Sequence, residues 1–292
     1  MAVAHSQKAT APVTRALALA LLTAASISAA IGLLQYFGAT AWAGPWLNHT
    51  GIGEAYGNLR QRNQFATLMN IGLAALFWWA ANPPTPGSQR SWPTLTPSAR
   101  LIACLVLAVL IGAGNAASSS RTGLMQLALL TFITWVWQRQ AAVTGSRTLM
   151  QQPVTLTLGV TLLAYAAATV ALPLLTGLDP ATSGAWARLK SGDALCTSRL
   201  TLWGNVLHLI AQKPWFGWGW GELDYAHFIT LYPGARFCDI LDNAHNLPLH
   251  LAVELGLPLA MLLCGTITWL VWRLRPWREM DTTHQMAWAI LA

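Results

Sequence analysis

The chain has 292 residues, 54% hydrophobic and 9% charged, with a mean hydropathy of +0.44. A soluble domain carries roughly a quarter charged residues, so the water-soluble classes are set aside in favour of an integral membrane protein. The formal net charge of +7 does not point to nucleic acid. The chain has no basic run and no RNA-binding signature, and Lys and Arg collect in the cytoplasmic loops of membrane proteins.

The chain reads as an all-α, polytopic membrane helix bundle of about six spans. Residues 1–15 are polar and weakly basic, and 16–38 are apolar throughout. Ala41-Trp42-Ala43 before Gly44 mimics a signal-peptidase site. The apolar run is about twice the length of a signal h-region, so it is read as span one. A polar loop, 40–63, leads to span two at 65–81. A Pro- and Ser-rich segment leads to span three at 101–117. Ser118-Ser119-Ser120-Arg121-Thr122-Gly123 is a sharp polar turn, from which 122–137 returns as a short span four. Span five is 154–175 and span six 247–272. Many of the sixteen tryptophans, among them Trp42, Trp78, Trp135 and Trp272, fall near helix ends, as an interfacial belt requires. The expected division is 1–176 for spans one to five, 177–245 for one long extramembrane loop, and 246–292 for span six and a tail, all within one integral domain.

Within the long loop, Leu200, Trp203, Leu207 and Ile210 fall on one helical face of 199–212, opposite Thr201, Asn205, His208 and Gln212. This amphipathic helix is expected to lie on the bilayer surface or to roof the bundle. With the N-terminus inside, the inner segments hold nine basic residues, from Lys8 and Arg15 to Arg273, Arg275 and Arg278. The short outer loops hold three: Arg60, Arg62 and Arg121. The long loop is therefore expected outside, in the periplasm. Cys104 and Cys264 lie within spans as small apolar fillers. Cys196 and Cys238 both lie in the outer loop, where oxidation is permitted, and are expected to form a disulfide.

The chemistry-bearing residues converge on the outer face. His245 heads span six and suits general-base work near neutral pH, against the plainer reading of a helix-end histidine bonded to loop backbone. Arg121, Arg199, Arg60 and Arg62 either anchor headgroups or hold an anionic, lipid-linked substrate, since guanidinium groups grip pyrophosphate bidentately. Glu254, one turn after His250, reads as a buried acid holding helices in register. Asp239, Asp242, Glu222 and Asp224 have the chemistry for a divalent cation but show no regular ligand spacing.

These residues lie in segments that resemble a known group. DNAHNLPLHLAVELGLPLAMLL resembles the signature region of the O-antigen ligase and polymerase superfamily. SSSRTG and SRLTLWGNVLHLIAQKPWFGWGWGEL are similar to its Ser-Arg and Arg-x-x-x-Trp, Pro-x-x-Gly-x-Gly segments. GNLRQRNQFATLM resembles the GN-x-x-Q-x-N-x-x-A motif of pilin-type protein O-oligosaccharyltransferases. The resemblance covers 16–275. It implies a bacterial inner-membrane glycosyltransferase that moves a preassembled glycan from undecaprenyl pyrophosphate to Ser or Thr of exported protein such as pilin. An O-antigen ligase with lipid A core as acceptor, or a polymerase, is the alternative. His245 is then the base, and Arg121, Arg199 and Arg62 bind the donor pyrophosphate. Gln61, Asn63 and Asn246 shape the donor pocket, and neither a metal nor another cofactor is implied. Compared with family members, few spans precede GN-x-x-Q, and the chain stops in what reads as the start of another helix, MAWAILA, so it reads as partial. From another class, a transporter of lipid-linked sugars is expected to show several deep charges and internal repeats. The chain has one deep acid, Glu254, and no repeat.

Overall fold

The computed structural model describes residues 2–83, 95–143, 151–184, 195–279 and 281–291. Arg90 and Arg147, two of the nine inner basic residues counted above, lie outside these residues. The described residues are helical, with no strand among them. They form two compact units, Met1–Lys190 with Trp277–Ala292, and Ser191–Pro276. The final apolar helix groups with the loop, and the tail returns to the first unit.

The first unit contains α1 (Ala2–Tyr36), α2 (Arg62–Ala81), α3 (Pro97–Ala117), α4 (Arg121–Val143), α5 (Gln151–Leu175) and a terminal helix introduced below. Within α1, α2, α3 and α5 the segments Pro12–Tyr36, Arg62–Ala81, Pro97–Ala117 and Gln152–Leu175 are long and apolar enough to cross a membrane. Within the α2 segment 72% of the most apolar window is buried, against 28–44% for the other three, so α2 is the axis of this unit. Small residues let the helices close on one another. A Cβ on Gly72 would stand 2.2 Å from that of Ala25, and one on Gly114 would stand 2.9 Å from that of Ala29. Arg100 turns its guanidinium onto the carbonyls of Trp79 and Asn82, satisfying the C-terminal end of α2, and lies 4.7 Å from the Trp79 ring. The expected span four is a full 23-residue helix, α4. It is not among the helices apolar enough to cross by themselves, because Gln126, Thr131, Thr134 and Gln138 dilute it.

In the second unit α6 (Arg199–Gln212), α7 (Leu223–Ile229), α8 (Leu247–Leu255) and α9 (Leu257–Leu274) surround a core of Leu202, Val206, Leu209, Leu223, Leu241, Ala244 and Val253. The last helix, α10 (Thr282–Leu291), belongs to the first unit and packs on α2 through Met286 and a Thr282–Asn82 hydrogen bond of 3.0 Å.

Two expectations are corrected here. On α6 two residues of the expected apolar face join the core, Ile210 buried and Trp203 half-buried, beside Leu202, Val206 and Leu209, whereas Leu200 and Leu207 are exposed. Asn205, placed on the polar face, is buried because its amide exchanges hydrogen bonds with Ala235 O (3.0 Å) and Phe237 N (2.7 Å). An apolar periodicity on one side of a helix thus gave way to a loop that offered the other side its backbone groups. Span six is broken into α8 and α9 at Gly256, and the crossing segment is Leu257–Arg278. The break is sealed by residues 213–222. Leu257 N donates to Pro214 O (2.8 Å), Trp218 N to Val253 O (2.8 Å) and Gly219 N to Glu254 O (3.0 Å). The contact is backbone on backbone. A Cβ on Gly256 would meet Trp215 O at 2.2 Å, one on Gly217 would meet Glu254 O at 2.3 Å, and both residues have positive φ.

A disulfide joins Cys196 to Cys238, with Cα atoms 5.5 Å apart, while Cys104 and Cys264 are free. It closes a loop with a sequence separation of 42. Cys196→Ser is expected to destabilise the second unit by ~4 kcal/mol on the chain-entropy scale. The check is pulse proteolysis within 195–245. An unchanged cleavage midpoint would remove the link from the stability of this unit.

Candidate active site

The expected site residues are distributed over both units. In the first, residues 40–61 form an ordered loop ahead of α2. Its hub is Gln35, fully buried near the end of α1. Gln35 Nε2 donates to Asn48 O and Gly57 O, each at 2.9 Å, and its Oε1 accepts from Tyr56 N at 3.1 Å. The sequence reading took this stretch as apolar throughout. One Gln in an apolar run was the available signal, since a polar group there must find partners. Gln61 is the N-cap residue of α2, in extended conformation, without a side-chain capping bond. Arg62 opens α2 and donates to Glu54 Oε1 at 3.1 Å, with its guanidinium 5.5 Å from the Tyr56 ring. The Tyr56 hydroxyl donates to the same carboxylate. Arg62 thus folds back on its own loop.

Asn63 is part of a polar network. Its Oδ1 accepts from Ser120 Oγ at 2.7 Å, and Ser120 Oγ accepts from Gly123 N at 3.0 Å. Behind it Asn115 Nδ2 donates to Asn70 Oδ1 at 3.2 Å, and Asn70 Nδ2 donates to Gly123 O at 3.2 Å. The links join α2 to the end of α3, the turn and the first residues of α4, so the network fixes the place of Arg121, the first residue of α4. Ser120 and Asn115 were not singled out from sequence, where SSSRTG reads as a turn and as a Ser-Arg segment whose Arg121 carries the expected role.

In the second unit, Arg199 opens α6 directly after Ser198, which accepts from Thr201 N at 3.1 Å as N-cap. His245 lies between two anchored neighbours. Ala244 is buried and its carbonyl accepts from Trp203 Nε1 at 3.0 Å, and Asn246 caps α8 through Leu249 N at 3.3 Å. His245 itself adopts φ 50, a left-handed conformation held by Asn243 Oδ1, which accepts the His245 N–H at 2.7 Å. This fixed turn leaves the imidazole exposed. Partial burial of the ring, then the charge of Arg199, push its pKa below the ordinary 6.5. Asp242 pulls it up, and His250 pushes it down. The ring is therefore neutral at neutral pH, the form a base requires.

Glu254 is 3% exposed. Its Oε1 accepts from Gly221 N at 3.1 Å and lies 3.6 Å from His250 Nε2. The acid stitches α8 to the 213–222 loop. The Asn246 side-chain oxygen is engaged as the helix cap, a use that the donor-pocket expectation did not include. Among the described residues no group of three or more His, Cys, Asp or Glu is gathered for a metal ion.

Residues 101–264, more than half of the chain, match the family model described as O-antigen ligase. Residues 55–80 match the model described as protein glycosylation ligase. No curated protein and no solved structure matches the chain.

Proposed function

From a chain that belongs to the O-antigen ligase family, we propose an oligosaccharyltransferase that moves a preassembled glycan from undecaprenyl pyrophosphate to Ser or Thr hydroxyls of exported protein such as pilin. The enzyme class and the multi-pass membrane architecture are given by the family and the helices. Donor, acceptor, inner-membrane location, cytoplasmic N-terminus and periplasmic active face belong to the proposal. One observation carries the chemistry: His245 is anchored between Ala244 and Asn246, and partial burial, then Arg199, hold its pKa below the ordinary value.

In the proposed step the imidazole takes the acceptor hydroxyl proton. The acceptor oxygen attacks the first carbon of the glycan, and the bond from that carbon to the pyrophosphate oxygen breaks. Undecaprenyl pyrophosphate departs with the bonding pair. Of the cations that the resemblance assigns to the leaving pyrophosphate, Arg199 belongs to the second unit with His245 and Arg121 to the first. Arg62 acts on the donor by holding Glu54 and Tyr56, which keep the loop before Gln61 in place. Asn63 acts through Ser120 and the Arg121 turn.

A second reading has its own support, because the longer match is the one described as O-antigen ligase. It makes lipid A core the acceptor. The test uses membranes carrying the chain, an undecaprenyl-pyrophosphate glycan, and both a pilin-like Ser/Thr protein and lipid A core. Glycan on protein is the expected result, glycan only on lipid A core selects the second reading, and glycan on neither removes both. In the same assay Arg121→Ala is expected to raise the donor KM by roughly 10- to 100-fold, the loss of a charge-assisted hydrogen bond. An unchanged KM would take Arg121 out of the donor site.

A further inference from the structure

We infer that a groove on the second unit, walled by α7 and residues 236–241, docks the acceptor polypeptide through an apolar side chain beside a basic one. The inference rests on the protein-acceptor reading above.

The groove encloses ≈ 720 Å³. Its floor is Phe237 and Leu241, both buried, and its rim is Tyr225, Phe228 and Ile240, which are 56%, 77% and 82% exposed. Its walls are built before anything binds. Phe237 is held at its N–H by Asn205 Oδ1 (2.7 Å) and at its carbonyl by His227 Nε2 (3.1 Å). The next residue, Cys238, is tied to Cys196 by the disulfide and by a backbone bond of 3.1 Å.

The charge of the groove selects the occupant. Asp224 and Asp239 line it against one cation, Arg236. That guanidinium is turned onto the carbonyls of His227 (2.9 Å) and Thr230 (3.3 Å), closing the end of α7. His227 is neutral, since burial pushes its imidazole below the ordinary value. One net negative charge beside an aromatic floor fits a Lys or Arg next to an apolar residue. It does not fit anionic lipid headgroups, which two carboxylates repel.

Position links the groove to the chemistry. The wall runs on from Leu241 to His245 in four residues, at most ~14 Å of extended chain. A docked peptide therefore presents a hydroxyl within about four residues of the basic–apolar pair.

The test places the whole chain in lipid nanodiscs, with p-benzoylphenylalanine replacing Phe228. The probe is a library of 12-residue peptides, each with one Ser and random neighbours. Photo-crosslinked peptides are sequenced, and no glycan donor is needed. The expected result is enrichment of Lys or Arg beside an apolar residue within four positions of the Ser. In Asp224→Asn/Asp239→Asn that enrichment falls at least fivefold. Both carboxylates are exposed, so the fold is retained. Crosslinking chiefly to lipid, or a basic preference unchanged by the double variant, overturns the inference. Peptide selection without any glycan transfer would sink the enzymatic reading and keep the groove. Normal transfer with an acceptor KM unmoved by the double variant would sink the groove and keep the reading.

Discussion

His245→Asn is expected to lower glycan transfer ~10²- to 10⁴-fold, the usual contribution of a general base, while the protease pattern of the second unit stays as in the wild type. Asn is the instructive replacement because it tolerates the left-handed backbone that position 245 adopts, whereas Ala does not. Loss of transfer in Asn and Ala variants alike assigns the effect to the imidazole. Transfer within about tenfold of wild type in the Asn variant would end the base assignment. The pH profile adds a check with a definite sign. A base works as neutral imidazole, so transfer falls as pH drops through the folded pKa. Because burial and Arg199 push that pKa below 6.5, the acidic limb is expected below pH 6.5. Arg199→Gln should move the limb upward and Asp242→Asn downward, whatever either does to the amplitude. Shifts in the same direction from both variants would contradict the electrostatics of this turn.

The largest structural effect is expected at Gly256. In Gly256→Val a Cβ must enter a space where Trp215 O lies at 2.2 Å, on a backbone with φ +84. Steric conflict with backbone and left-handed strain together should cost at least ~3 kcal/mol. Glu254 O and Val253 O then lose the N–H groups of Gly219 and Trp218. Gly204→Ala is the control. Position 204 is inside α6 with open space around it, and Ala there should stabilise the helix by about 1 kcal/mol. The measurement is the midpoint of cleavage within 195–276 for both variants. Equal midpoints would mean that the seam between the loop and the α8–α9 break does not hold the second unit together.

Helices were legible in the sequence wherever an apolar run was long and uninterrupted. They were misread where a short-range rule met a long-range partner. Span six is continuous in hydropathy across Gly256, and nothing local to 247–272 shows that 213–222 will dock there. Part of the buried face of α6, namely Leu202, Val206 and Leu209, was missed for the same reason. Leu200 and Leu207 match a helical repeat as well as Leu202, Val206 and Leu209 do, and only the bonds of Asn205 to residues 235 and 237 decide between them. His245, Arg199 and Glu254 stood out because ionisable groups are scarce in this chain. Gln35 and Ser120 did not, because their importance lies in which carbonyls and amides they reach.

The seam at Gly256 also has a consequence for biogenesis. Residues 213–222 leave the ribosome well before residue 257, yet their hydrogen-bond partners are the last turn of α8 and the first residue of α9. The seam cannot close before Leu257 has been made. Until then the amides of Trp218 and Gly219 lack the carbonyls of Val253 and Glu254 that accept from them in the finished fold. A nascent polypeptide stalled ahead of Leu257 is therefore expected to keep this seam open, because the N–H that bonds to Pro214 O has not yet been made.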